Sequence, residues 1–208
     1  MIINMQFDYV LVLILMSLST VIVIIMMKLI YRHNPHYDDE YGKEIVLFHR
    51  AERYKRRVWR FNLIEGLKNL KIKGKLRELE LKVIVGEFSK GTQEIVKHAA
   101  NHEFDSIIII GGPKVFCEDM MEIYTLLDKY GSVKYLILPK RPPKHFMIFN
   151  ETHLYIEKPH RHNNSRGSVG IKKAQPELIK IYNQAFNKML KYARPLTKEE
   201  VLKQECYL

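Results

Sequence analysis

The chain has 208 residues and carries 34 Lys and Arg against 23 Asp and Glu, a formal net charge of +11. Two cysteines, Cys117 and Cys206, exclude a disulfide-stapled scaffold and fit a reducing compartment. The basic balance suits anionic lipid, nucleic acid or a smaller phosphate-bearing ligand, and charge alone does not choose among them.

From the N-terminus, YVLVLILMSLSTVIVIIMMKLI holds no charged residue between Tyr9 and Met27. At a rise of about 1.5 Å per residue its length matches a hydrocarbon core of roughly 30 Å, which predicts a transmembrane helix at about Tyr9 to Ile30. Asp8 precedes it without any Lys or Arg, and bulky KLIYRH follows, so a cleaved signal peptide is not expected. Lys28 and Arg32, then Arg50, Arg53, Lys55, Arg56, Arg57 and Arg60, all follow the span. Positive charge resists translocation, so the expected topology is single-pass in the cell membrane, N-terminus outside and the remainder cytoplasmic. Ser17, Ser19 and Thr20 lie within the span. Such hydroxyls either bond back to their own helix or, if several copies associate, line a shared interface or pore with Asp8 at its entrance. The domain plan is therefore 1–32 transmembrane helix, 33–43 polar linker and 44–208 cytoplasmic domain.

Within that domain EIVLF (44–48) reads as a buried strand, and residues 51–70 place Tyr54, Val58, Phe61, Leu63, Ile64, Leu67 and Leu70 at helical spacing with arginines opposite. ELKVIV (80–85) is a strand, SKGTQEIVKHAANH (89–102) a loop entering a helix, and DSIIII (105–110) a central strand. CEDMMEIYTLLDKYG (117–131) is a helix ended by glycine, and VKYLIL (133–138) another strand. This alternation predicts an α/β, Rossmann-like fold, with right-handed crossovers and a parallel sheet covered on both faces. HFMIF (145–149) and HLYIE (153–157) alternate with period two and read as an antiparallel hairpin. A polar, basic loop (159–170) and helices at about 176–192 and 197–206 finish the chain.

In such a sheet, ligands sit beyond the carboxyl ends of the strands, where helix N-termini attract anions. Two loops qualify: Ser89, Lys90, Gly91 and Thr92 after one strand, and Gly111, Gly112, Pro113 and Lys114 after the next. Each joins glycine to a lysine able to face a phosphate, although the same residues also make ordinary turns. Arg50 and Arg53 follow the first strand at the same sheet edge, while Lys55, Arg56, Arg57 and Arg60 read as a solvated or lipid-facing surface. Neither loop matches GxxxxGK[ST] or GxGxxG, so no ordinary nucleoside triphosphate or dinucleotide site is expected. His145, His153, His160 and His162 cluster late without CxxC or HExxH, so no metal site is expected, and no partnered histidine accompanies Cys117. No GxSxG elbow and no HxK followed by Asp occurs; HFMIFNETHLYIEKPH looks like a degenerate phospholipase D-like ending that lacks the His-Lys pair. With no catalytic set, the domain is expected to bind rather than catalyse.

One span, a cytoplasmic Rossmann-like domain and glycine-lysine loops at strand tips resemble the CRISPR-associated membrane proteins with a CARF domain (CRISPR-associated Rossmann fold). The resemblance is one of architecture over nearly the whole chain. It implies a homo-oligomer, from a dimer of CARF domains to a tetramer, that takes a cyclic oligoadenylate, commonly cyclic tetra-adenylate, as ligand and no cofactor. It implies that the Ser89–Thr92 and Gly111–Lys114 loops cradle that ring while Lys158, Arg161 or Arg166 closes over it. Ligand binding would then rearrange the membrane helices into an ion path that depolarises the bilayer in type III CRISPR antiviral defence, with no nucleic-acid duplex as partner. Two other classes stay open: a membrane-tethered hydrolase of nucleic acid or phospholipid, degenerate phospholipase D-like, and a lipid-binding structural anchor.

Overall fold

The computed structural model describes residues 44–49, 51–113, 117–157, 167–197 and 199–200. The predicted span, with Asp8, Ser17, Ser19 and Thr20, and Arg50, Lys114, Lys158, Arg161 and Arg166 all lie outside the described residues. Among those described, no helix is long and apolar enough to cross a membrane.

The strands are β1 (Glu44–Phe48), β2 (Glu80–Ile84), β3 (Ser106–Gly111), β4 (Val133–Ile137), β5 (His145–Phe149), β6 (His153–Glu157), β7 (Ser168–Lys172) and β8 (Arg194–Pro195). The helices are α1 (Arg53–Ile72), α2 (Lys90–Asn101), α3 (Cys117–Lys129) and α4 (Pro176–Leu190). The strands form a single mixed sheet in the order β1-β7-β6-β5-β2-β3-β4-β8.

Only β2, β3 and β4 among them run parallel to one another, joined through α2 and α3 as expected of consecutive crossovers. The β-branched run of β3 sits between β2 and β4, with Ile107, Ile109 and Ile110 fully buried. The rest of the sheet departs from the predicted parallel plan. β1 does not join β2 but pairs antiparallel with β7 at the sheet edge, where Lys172 Nζ meets Glu44 Oε2 at 2.7 Å. Its apolar run hides an alternation: Phe48 points into the core while Ile45 and Leu47 are exposed. The expected hairpin is present as β5-β6, and it lies in the middle of the sheet because β5 pairs antiparallel with β2. Asn150 and Glu151 both take positive φ (50° and 54°) at its turn, the geometry that matches the twist of two-residue hairpins. β7 begins inside the segment, 159–170, that the sequence reads as loop.

Because alternate strand residues face opposite ways, the sheet carries two cores. Leu81, Val83, Ile107, Ile109, Met147 and Tyr155 pack against α1, α2 and α3. Ile84, Ile110, Phe146, Ile148 and Leu154 pack against Ile179 and Phe186 of α4. On the first face Trp59 of α1 lies over Gly170 of β7, where an added Cβ would come within 2.8 Å of the indole.

Candidate functional site

Residues 53, 56, 57 and 60 follow the i, i+3, i+4, i+7 spacing of one helix face, so the first two turns of α1 present four arginines together. The first turn of α2 begins beside them, after the carboxyl end of β2. Between the two helix starts lies a cavity of about 730 Å³ lined by those arginines, Tyr54, Ser89, Lys90, Gly91, Thr92 and Glu94, with Tyr155 and Glu157 contributed by β6. Five cations therefore face two carboxylates.

The helix ends reinforce that charge. Neither α1 nor α2 has an acidic residue in its first turn or a side-chain capping hydrogen bond. First-turn N–H groups lack intrahelical acceptors, and the helix dipole adds positive potential there. Arg53 and Arg56, in the first turn of α1, disfavour the folded chain by a few tenths of a kcal/mol each, a cost that an anion reverses. At α2 the Ser89 hydroxyl turns toward Thr92 Oγ1 at 3.4 Å. Arg57 reaches Glu94 at 3.0 Å and ties the two helices across the cavity.

Arg60 is the buried member of the set, at 7% exposure. Its Nε donates to the Arg56 carbonyl at 3.1 Å, and its guanidinium carbon stands 4.5 Å from the Tyr155 ring centre, a cation–π seat. Burial lowers its pKa, opposed by Tyr155 and Glu157, but an arginine keeps its proton in any protein setting. Glu157 is partly buried; burial pushes its carboxyl up, and the His145 hydrogen bond with the His145, Arg60 and Arg56 charges outweighs this and leaves it below the usual range. His145 Nδ1 lies 3.5 Å from Glu157 Oε2, and the imidazole packs so closely on Gly86 that a Cβ there would meet Nε2 at 2.7 Å.

Of the residues singled out by sequence, Arg53, Ser89, Lys90, Gly91 and Thr92 come together around this cavity. Gly111 and Gly112 do not line it; both are buried, Gly111 against the Tyr135 ring and Gly112 against the Gly86 carbonyl, so their glycines serve strand packing. Arg56, Arg57 and Arg60, read as a solvated or lipid-facing surface, line the cavity instead. A signal was present in the sequence, since Arg60 falls on the same stripe as the buried Trp59, Leu63, Ile64 and Leu67. His153 is a core histidine whose Nδ1 accepts from the Lys173 N–H at 2.8 Å. His160 and His162 lie outside the described residues, as does the side chain of Cys117 at the start of α3.

No protein-family model matches the chain, and no curated protein matches it. Among solved structures it is similar to Nuc from Salmonella typhimurium, a phospholipase D family member: TM-score 0.53 and 11% identity over 74% of this chain and 97% of that one. It is also similar to TrmBL2, an archaeal chromatin protein, with TM-score 0.52 and 12% identity over 88% of this chain and 64% of that one. A third is the polyphosphate kinase of Porphyromonas gingivalis, with TM-score 0.50 and 12% identity over 76% of this chain and 24% of that one. At such identity the likeness is one of fold. It overturns the resemblance to CARF-domain membrane proteins, and the CRISPR keywords that depended on it fall as well. The physical reason is the sheet: a Rossmann-type reading takes β1 as the first parallel strand and the hairpin as an appendage, whereas β1 is an antiparallel edge and the hairpin supplies central strands.

Proposed function

We propose that the domain binds the phosphodiester of a polyanion in the cavity between the starts of α1 and α2. The observation that carries this reading is the gathering of Arg53, Arg56, Arg57 and Arg60 at the positive end of one helix, with Lys90 at the positive end of the next. Guanidinium groups match phosphate oxygens in paired fashion, and helix N-termini add backbone donors. A volume of about 730 Å³ exceeds what inorganic phosphate fills and suits a nucleotide unit or a lipid head group. The fold likeness to a phospholipase D family member supports the same class of ligand.

A nucleic-acid backbone and a phospholipid share this chemistry, and one comparison separates them. The full chain is titrated against a fluorescent single-stranded oligonucleotide and, in parallel, against phosphatidylglycerol and phosphatidylcholine vesicles. Saturable binding to the oligonucleotide, lost as salt rises and matched by no preference for the anionic vesicles, assigns nucleic acid. The reverse pattern assigns lipid, and failure of both sinks the proposal.

One observation favours a second reading, hydrolysis of the bound phosphodiester. His145 is held against Glu157, whose carboxylate reaches the cavity. A carboxylate at Nδ1 orients an imidazole for proton transfer. Release of product from a labelled oligonucleotide or phospholipid, abolished in His145→Ala with binding retained, would establish turnover; no release by the wild-type chain would leave the site as a binding site.

A further inference from the structure

At the opposite end of the α1–α2 pair, three metal-ligating side chains converge. Glu65 comes from α1, twelve residues and about 18 Å along the helix from Arg53. His98 lies on α2 and His102 caps its C-terminus, four residues on and therefore on the same face. One donor atom from each lies within 4.8 Å of the other two. His98 Nε2 and Glu65 Oε1 are 3.4 Å apart, and the two imidazole centres 4.2 Å.

The two rings are prepared differently, and both preparations suit a metal ion. His102 Nδ1 stands 2.8 Å from the His98 carbonyl. A carbonyl only accepts, so Nδ1 carries the proton and Nε2 keeps the lone pair, the arrangement that outer-shell carbonyls impose on ligating histidines. His98 is stacked on Phe61 at 4.1 Å and 17°, which fixes its ring plane. Its Nε2 is sealed from solvent and faces the Glu65 carboxylate at 3.4 Å, at the long end of hydrogen-bonding range. A simple aromatic stack on Phe61 would need no nitrogen there, so packing alone does not account for that atom.

We propose that Glu65, His98 and His102 bind a divalent transition metal ion of the Zn²⁺ class, with water completing the coordination. Two imidazoles and a carboxylate are a known donor set for Zn²⁺ and a poor one for Mg²⁺ or Ca²⁺, which prefer all-oxygen shells. Tetrahedral ligation at about 2.0–2.2 Å requires the donor atoms to draw to roughly 3.3 Å apart. His98 Nε2 and Glu65 Oε1 already stand 3.4 Å apart, so the adjustment falls on His102, at the C-terminal cap of α2. The ion braces α1 to α2 beneath the cavity that their N-termini enclose, below the Arg57–Glu94 link. The site is separate from the phosphodiester cavity and stands or falls without it.

The test is a Co²⁺ titration of the chelator-treated full chain, read by visible absorption, followed by Zn²⁺ displacement and thermal melts. The expected result is a tetrahedral Co²⁺ band that saturates near one equivalent, is bleached by Zn²⁺, and accompanies a rise of several degrees in melting temperature. His98→Phe keeps the stack on Phe61 and should melt like the wild type in chelator, yet lose the band and the Zn²⁺-dependent rise. Glu65→Gln and His102→Ala should each weaken binding about tenfold or more. No visible band in the wild type overturns the proposal, and so does a Zn²⁺-dependent rise that survives in His98→Phe/His102→Ala, which would put the metal elsewhere in the chain.

Discussion

The Arg60 guanidinium sits 4.5 Å from the centre of the Tyr155 ring, joining the first helix to a central strand at the wall of the basic cavity. A buried cation in such a place serves either stability or ligand binding, and the two roles separate by substitution. Removing one charge of a buried pair is costly where the other is left uncompensated, but Glu157 keeps His145 and Arg56 beside it. Arg60→Met should therefore melt within a few degrees of the wild type while phosphodiester affinity falls about tenfold or more. Equal affinity with a large loss of stability would make Arg60 a purely structural residue.

The seat of Trp59 on Gly170 gives a packing test on the first face of the sheet. A methyl group at 170 would press on the indole from 2.8 Å. Overpacking of this kind costs about 1–3 kcal/mol, and emptying the seat with Trp59→Ala about 3–5 kcal/mol. Urea unfolding should rank wild type above Gly170→Ala, and Gly170→Ala above Trp59→Ala.

Gly112 was a candidate phosphate contact by sequence and packs on the Gly86 carbonyl in the structure. Gly112→Ala should lower the urea midpoint by moving the adjoining strand ends apart. A variant with unchanged stability and weakened ligand affinity would return Gly112 to the binding site.

His153 sets an acid limit on stability. Burial, then the Lys172 and Lys173 charges, lowers its pKa to about 4 from the ordinary 6.5. Between those values the unfolded chain binds a proton that the folded chain refuses, so stability rises with pH across the window and is lost as pH falls from about 6.5 to about 4. The full effect approaches ~3 kcal/mol. His153→Asn keeps an acceptor for the Lys173 N–H, and its stability should fall less steeply over that window in denaturant titrations at stepped pH. An unchanged slope would assign the acid sensitivity to other groups.

Local order was legible in the sequence, and partnering was not. The extents of β1, β5 and β6 match the predicted strands, because alternation and a two-residue turn are local signals. What failed was the place of β1 in the sheet. A five-residue apolar run looks the same whether both faces are covered or one, and only the exposure of Ile45 and Leu47 distinguishes an edge from a centre. The Ser89–Thr92 segment reads as a helix entry from local sequence, and α2 begins at Lys90. The burial of Arg60 and the place of α2 beside it were not legible, because helical spacing shows which residues share a face and not what lies across from them; Glu94 of α2, which Arg57 meets, is more than thirty residues away. The pairing of Glu65 with His98 and His102 was invisible for the same reason.

The central claim is that the α1–α2 cavity takes a phosphodiester, and its most direct test is the salt dependence of affinity for a short single-stranded oligonucleotide used as the phosphodiester probe. Each phosphate contact on a single strand contributes about 0.7 to the slope of log affinity against log salt. The wild-type chain should bind with a slope steeper by about 1.4 than Arg56→Gln/Lys90→Gln, and more tightly at every salt concentration. Identical slopes and affinities in the two chains would show that the cavity is not where phosphodiesters bind.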